Sequence, residues 1–179
     1  ARALARRLAT EGFGAVYASD LQRAAETGRI LAEAANAPLY LDSRLRELNL
    51  GVFQGLTHAE IRERYAEDEH QMQTAYMDHV VPEGESRRAM QSRIYEAWQE
   101  IVAGMDTQPV ALVSHGGAIR ILLLRLLHPA DHAQVMTLQI TNTACTLLGV
   151  RPDGQVEMLI AADYSHLERH TDGDGEHRL

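Results

Sequence analysis

Residues 109–127 read Pro-Val-Ala-Leu-Val-Ser-His-Gly-Gly-Ala-Ile-Arg-Ile-Leu-Leu-Leu-Arg-Leu-Leu. The short apolar run from Pro109 to Ser114, bounded by turn signals, fits a strand buried on both faces, as in a parallel sheet. The apolar stretch 116–127 then reads as a helix. A buried strand passing through His-Gly-Gly directly into a helix is the front of a βα unit. Such units predict an α/β fold.

The rest of the chain agrees with that unit. Leu4 and Leu8 are four apart, so residues 1–10 read as helix, stopped by Gly12 and Gly14. Residues 15–18 form a short strand. Ser19 or Asp20 can cap the next helix, 20–35, in which Leu21, Ala24, Gly28, Leu31 and Ala35 share a face. Residues 38–41 are a second strand, and 42–56 a loop holding Gly51 and Gly55. Thr57 and Glu60 have capping-box spacing and start a helix through about residue 65. Residues 67–84 are weakly patterned and read as a short helix plus a loop over the site. Met90, Ile94, Ala97 and Ile101 mark the buried side of a long helix, 85–103. Two strands, 143–150 and 155–161, flank the Pro152-Asp153-Gly154 turn. The expected architecture is a three-layer α/β/α sandwich with a mostly parallel central sheet, the final pair forming an antiparallel edge of it. Residues 1–179 read as one domain, with 171–179 a flexible tail.

Composition narrows the function. The 179 residues carry 17 basic and 25 acidic side chains, a formal charge of −8. Every basic residue is arginine, which excludes lysine nucleophiles, lysine Schiff bases and the P-loop lysine. The acidic balance argues against general nucleic-acid binding, yet a few arginines can still hold a small anion in bidentate fashion. The single cysteine, Cys145, rules out an intramolecular disulfide and fits the reducing cytoplasm. No apolar run reaches the roughly 18 residues that a membrane span needs. The opening Ala1-Arg2-Ala3-Leu4 reads as mid-helix without a cap, so a segment upstream of Ala1 is expected.

Three segments lie where ligands bind such sheets, beyond the carboxyl ends of the strands. In Ser19-Asp20-Leu21-Gln22-Arg23-Ala24, a helix N-terminus offers amides to an anion, and Arg23 can add its donor fork. Alone, this segment fits a surface arginine on a capped helix better. In Ser114-His115-Gly116-Gly117, the histidine falls in a crevice and the glycines let a ligand approach the backbone. The plainer role for His115 is a cap at the helix start. In Arg44-Leu45-Arg46-Glu47-Leu48-Asn49-Leu50-Gly51, Glu47 lies between apolar residues. Partial burial would raise its pKa and suit it to proton transfer. Pairing with Arg44 or Arg46 would instead make it structural.

Other constellations are weaker. Ser114 and His115 point to opposite faces of a strand, so they make no dyad. Cys145 reads as a small core residue. His166 and His170 are four apart but lack a third metal ligand. His128 and His132 flank Pro129 as a helix-start turn. The acidic run 172–176 lacks the length of a calcium loop.

Taken in order, Ser-Asp-Leu-Gln-Arg-Ala, Leu-Arg-Glu-Leu-Asn-Leu-Gly-Val-Phe-Gln-Gly-Leu, Pro-Glu-Gly-Glu-Ser, Val-Ser-His-Gly-Gly and the late Ala162-Asp163-Tyr164-Ser165-His166-Leu167 resemble the histidine phosphatase superfamily, with its phosphoglycerate-mutase-like fold. The resemblance covers nearly the whole chain. It implies that Arg23 is a phosphate-pocket arginine and Glu47 the proton donor to the leaving oxygen. It implies that His115 is the second histidine, contacting and stabilising the phosphoryl group, and that Gly116 presents a backbone N–H to the phosphate. Residues 83–86 match a substrate-side loop. The family's first motif, a strand followed by Arg-His-Gly with the nucleophilic histidine, has no counterpart here, and the expectation is that it precedes residue 1, in about 30 residues of a βα front.

The function implied is phosphomonoester hydrolysis through phosphohistidine, with the chain as it stands inactive without the upstream histidine. The alternatives are phosphoglycerate-mutase-type transfer and an inactive protein that binds a phosphorylated ligand or a partner. The short stretch from Gly55 to Pro82 favours the phosphatase. No cofactor or metal is expected. The expected partner is a small phosphorylated substrate, neither nucleic acid nor membrane, and a dimer is compatible with the sequence.

Overall fold

The structure, a computed structural model, describes residues 1–168. The tail 171–179, with His170 and the acidic run 172–176, lies outside the described residues. Strands β1 (Ala15–Ala18), β2 (Leu39–Leu41) and β3 (Val110–Val113) form a parallel sheet in the order β2-β1-β3. Val16 lies opposite Leu39 and Ala111, and Ala18 lies opposite Leu41 and Val113.

The period-2 alternation of the strands divides the core between two layers of helices. Val16, Leu39, Ala111 and Val113 face one way and pack with Leu31 and Ala32 of α2 (Gln22–Ala35) and Leu8 of α1 (Arg2–Leu8). Tyr17 and Leu112 face the other way. They meet Met90, Ile94 and Ala97 of α5 (Arg87–Ala103) and Ala118, Ile121 and Leu122 of α6 (Gly116–Leu126). The result is the expected α/β/α arrangement, and the buried side of α5 is the one its spacing marks.

In the chain between β2 and α5, α3 (His58–Arg64) begins with the anticipated capping box: Glu60 accepts from the Thr57 amide at 2.8 Å and Thr57 Oγ1 from the Glu60 amide at 3.3 Å. Next, α4 (Ala66–Thr74) buries no residue, which explains its weak pattern. The final strands, β4 (Cys145–Val150) and β5 (Val156–Asp163), are antiparallel. Their Leu148, Val156 and Met158 cover Leu123, Leu127 and Val135, the last from α7 (His132–Thr137). Short α8 (Ser165–Glu168) follows. Among the described residues, no helix is long and apolar enough to cross a membrane.

Three expectations are corrected. The β4–β5 pair forms a sheet of its own rather than an edge of the parallel sheet. Strand β3 is half-buried along its length instead of enclosed on both faces, because among the described residues it pairs with β1 alone. Neither Ser19 nor Asp20 is the N-cap of α2. Leu21 holds that position without a side-chain cap: the Ser19 hydroxyl accepts from the Leu21 amide itself at 3.3 Å and also meets His115, and the Asp20 carboxylate binds Arg46.

Gly28 lets α2 lie against β1. A Cβ there would stand 2.7 Å from Ala18 Cβ and 3.2 Å from Leu39 Cδ1. Alanine is favoured over glycine in a helix by about 1 kcal/mol. Even so, Gly28→Ala should destabilise the protein by about 1–3 kcal/mol through overpacking, measured by urea unfolding. An unchanged or raised midpoint would show that the contact is not tight.

Candidate active site

Strands β1 and β3 are parallel and in register, so their carboxyl ends are neighbours. The Ser19 amide donates to the Val113 carbonyl at 2.9 Å, one step past both strands. From here each chain turns into a helix, α2 carrying Arg23 in its first turn and α6 following His115, its N-cap residue. His115 is only 8% exposed and Ser19 is fully buried. The Arg23 Nε–H donates to His115 Nδ1 at 3.2 Å, and His115 Nε2 lies 2.9 Å from Ser19 Oγ. An arginine can only donate. The network therefore assigns the imidazole proton to Nε2, which donates to Ser19. Burial, and then the Arg23 charge, push the His115 pKa down, with Glu47 opposing. The resting imidazole is neutral.

Glu47 comes from a loop shaped by two 3-10 turns, Ser43–Leu45 and Gly51–Phe53. Its carboxylate accepts from the Gly117 amide at 3.0 Å and from the Leu48 amide at 2.9 Å. Glu47 thus reaches the first turn of α6, whose leading amides have no intrahelical acceptor. Gly116 supplies the first of those amides, immediately after His115. The ion-pair alternative for Glu47 does not hold. Arg44 is bound by Asp42 and Glu100 at 2.8 and 2.7 Å, and Arg46 is bound by Asp20 through two contacts of 2.6 and 2.5 Å.

Two glycines make these approaches possible. A Cβ on Gly117 would lie 2.6 Å from Glu47 Oε1. On Gly51, at φ +49, it would lie 2.0 Å from the Pro82 carbonyl oxygen. That second contact staples the Glu47 loop to residues 81–85. The Val52 amide donates to Pro82 and the Glu85 amide to Asn49, each at 3.0 Å.

The structure thus brings together Arg23, Glu47, His115 and Gly116, the four residues singled out in the sequence. It adds Ser19, which sequence reasoning took for a cap, and Arg93, which it passed over as part of a long amphipathic helix. Three other histidines have partners of their own: His79 with Asp68 at 3.0 Å, His128 with the Ala130 amide at 3.2 Å, and His166 with Thr143 at 3.1 Å. Ser114 turns away from His115 and donates to the Leu45 carbonyl at 2.7 Å. Cys145 is half-buried, and burial raises its thiol pKa. Among the described residues there is no group of three or more His, Cys, Asp or Glu side chains able to hold a metal ion.

In an NMR titration, His115 should protonate below the ordinary histidine range. The neutral form belongs to the folded state. Its contribution to stability is therefore complete above the ordinary histidine pKa and declines as the pH falls through the lower, folded value. A midpoint at or above the ordinary value would contradict the Arg23–His115 geometry. Gly117→Ala should keep the fold but drive the Glu47 carboxylate off residue 117. Amide exchange at residue 117 would then rise toward that of an unbonded helix-start amide. Exchange as slow as in the wild type would mean that Glu47 does not hold this amide.

The chain matches the histidine phosphatase superfamily (branch 1) over residues 1–163. It is 34% identical over 137 residues to the probable phosphoglycerate mutase GpmB of Yersinia pestis (strain Pestoides F), a match covering 75% of this chain. It spans 62% of the length of that relative. Among solved structures it is similar to Bacillus stearothermophilus YhfR, with a TM-score of 0.80 and 28% identity over 93% of this chain and 82% of the other. It is also similar to mycobacterial glucosyl-3-phosphoglycerate phosphatase in complex with inorganic phosphate. There the TM-score is 0.76 and the identity 30%, over 92% of this chain and 84% of the other. The segments that converge on His115 and Glu47 lie inside the matched span, and the chain belongs to the histidine phosphatase superfamily.

Proposed function

We propose that this protein hydrolyses small phosphomonoesters through a phosphohistidine intermediate. The observation that carries the reading is the convergence of Arg23, His115 and Glu47 at the carboxyl ends of β1 and β3. Arg23 brings a planar donor fork of which His115 uses one N–H. Gly116 brings a helix-start amide, and Glu47 brings a carboxyl group bound to the α6 N-terminus.

The nucleophilic histidine is proposed to come from upstream of Ala1, on a strand beside β3. Among the described residues, β3 has β1 on one side only. A parallel strand added on its other side would end next to His115. In this scheme the nucleophile's nitrogen attacks phosphorus in line and the P–O bond to the leaving alcohol breaks. Glu47, protonated, supplies the proton to the departing oxygen. Water then attacks phosphorus of the phosphohistidine as Glu47 takes its proton, the P–N bond breaks to regenerate the histidine, and inorganic phosphate leaves. Arg23, His115 and the Gly116 amide bind the equatorial oxygens as their charge grows. A cytoplasmic location fits this role and the lone unpaired cysteine.

A mutase reading is favoured by the name of the Yersinia relative. The names of the mycobacterial neighbours favour a phosphatase, as does the short chain between the Glu47 loop and α5. Phosphate release from phosphoglycerate without a bisphosphoglycerate primer supports the phosphatase. Primer-dependent isomerisation without release supports the mutase.

In the full-length protein, Glu47→Gln should lower kcat on an alkyl phosphate by about a hundredfold or more and leave inhibition by inorganic phosphate unchanged. Arg23→Ala and His115→Ala should weaken both. Unchanged turnover in Glu47→Gln would remove the acid assignment.

A further inference from the structure

Arg93 lies on α5, 46 residues beyond Glu47 in sequence, yet its guanidinium reaches the backbone of the Glu47 loop. Nη1 donates to the carbonyls of Arg44 and Arg46 at 2.6 and 2.8 Å, and Nη2 donates to the carbonyl of Glu47 itself at 3.1 Å. The same guanidinium grips both oxygens of Glu85, through Nε at 3.0 Å and Nη2 at 2.7 Å. Glu85 in turn accepts from the Asn49 amide at 3.0 Å, two residues past Glu47. Both side chains are about four-fifths buried. Burial acts to raise the Glu85 pKa, but the Arg93 guanidinium and the Asn49 amide outweigh it and hold the carboxyl below its ordinary range. Glu85 therefore stays ionised and serves as an anchor, not a proton source.

We propose that Arg93, aimed by Glu85, is the positioning residue for the proton donor Glu47: it fixes the loop backbone on both sides of residue 47 and so sets where the carboxyl stands at the α6 N-terminus. This rests on the phosphatase reading above. The loop carries three carbonyls that converge on one guanidinium, a geometry that lysine's single ammonium cannot reproduce. A small error in placing an acid matters most when the leaving oxygen needs its proton.

The test compares two esters in the full-length protein. Glycerol 3-phosphate leaves as an alkoxide and requires protonation; p-nitrophenyl phosphate leaves as a stable phenolate and does not. In Arg93→Met, kcat on glycerol 3-phosphate should fall at least about tenfold further than kcat on p-nitrophenyl phosphate, with inhibition by inorganic phosphate unchanged. Glu85→Gln, which keeps the side chain's shape, should show the same bias at smaller size, and it decides the matter if Arg93→Met does not fold. Equal losses on the two esters in Glu85→Gln and in a folded Arg93→Met would overturn the positioning role while leaving the phosphatase reading intact. A wild-type protein inactive on both esters would overturn that reading and the proposal with it.

Discussion

Parallel pairing of β1 with β3 is the constraint from which the site follows. Parallel strands end on the same side of a sheet, and in-register ones end together. With Ala18 opposite Val113, the next residues, Ser19 and Ser114-His115, emerge side by side although about 95 positions separate them in the chain. Each then enters a helix at once, so two helix starts and their first-turn side chains share one crevice. An antiparallel pairing would send α2 and α6 to opposite ends of the sheet.

The electrostatics of that crevice would suit an anion. A buried imidazole beside a guanidinium stays neutral, and its Nδ1 lone pair accepts the Arg23 Nε–H. An oxyanion set against the same guanidinium would relieve the cation's pressure on His115 and favour its protonation. Glu47 stands at the opposite rim, its carboxyl oxygens bonded to main-chain amides rather than to a guanidinium. The nearby arginines have other carboxylates: Arg44 holds Asp42 and Glu100, Arg46 holds Asp20, and Arg93 holds Glu85. These ion pairs leave the acid loop's one unpaired carboxylate facing α6. An exposed pair such as Arg46–Asp20 contributes little stability by itself; together the pairs determine which carboxylate is left to the α6 amides.

Much of this was legible because the informative signals are local. The spacing in α5, the capping box at Thr57 and the strand-His-Gly-Gly junction each depend on a few neighbouring residues, and each element formed where expected. Arg23, Glu47 and His115 could be named because they sit in short motifs at strand or loop ends. What escaped was decided by contacts distant in sequence. Ser19 has a cap's position, but its hydroxyl is taken by a histidine 96 residues away. Arg93 falls among ordinary helix residues, and only folding brings three loop carbonyls to its guanidinium. The exposure of β3 depends on its neighbours in the sheet, which an apolar run cannot specify. Whether Glu47 would pair with Arg44 or Arg46 was open in the sequence, because all three are close in the chain. The competing carboxylates Asp20 and Glu100 come from elsewhere.

The most direct measurement is a rapid-quench trap of the full-length protein during turnover of a ³²P-labelled phosphomonoester, followed by mapping of the label. The expected result is a transient, acid-labile and alkali-stable phosphoryl group on a histidine other than His115, whose formation is suppressed when Arg23 or His115 is replaced by alanine. Turnover with no labelled enzyme at any time, or label on His115 itself, is incompatible with a site in which His115 holds the phosphoryl group for another histidine.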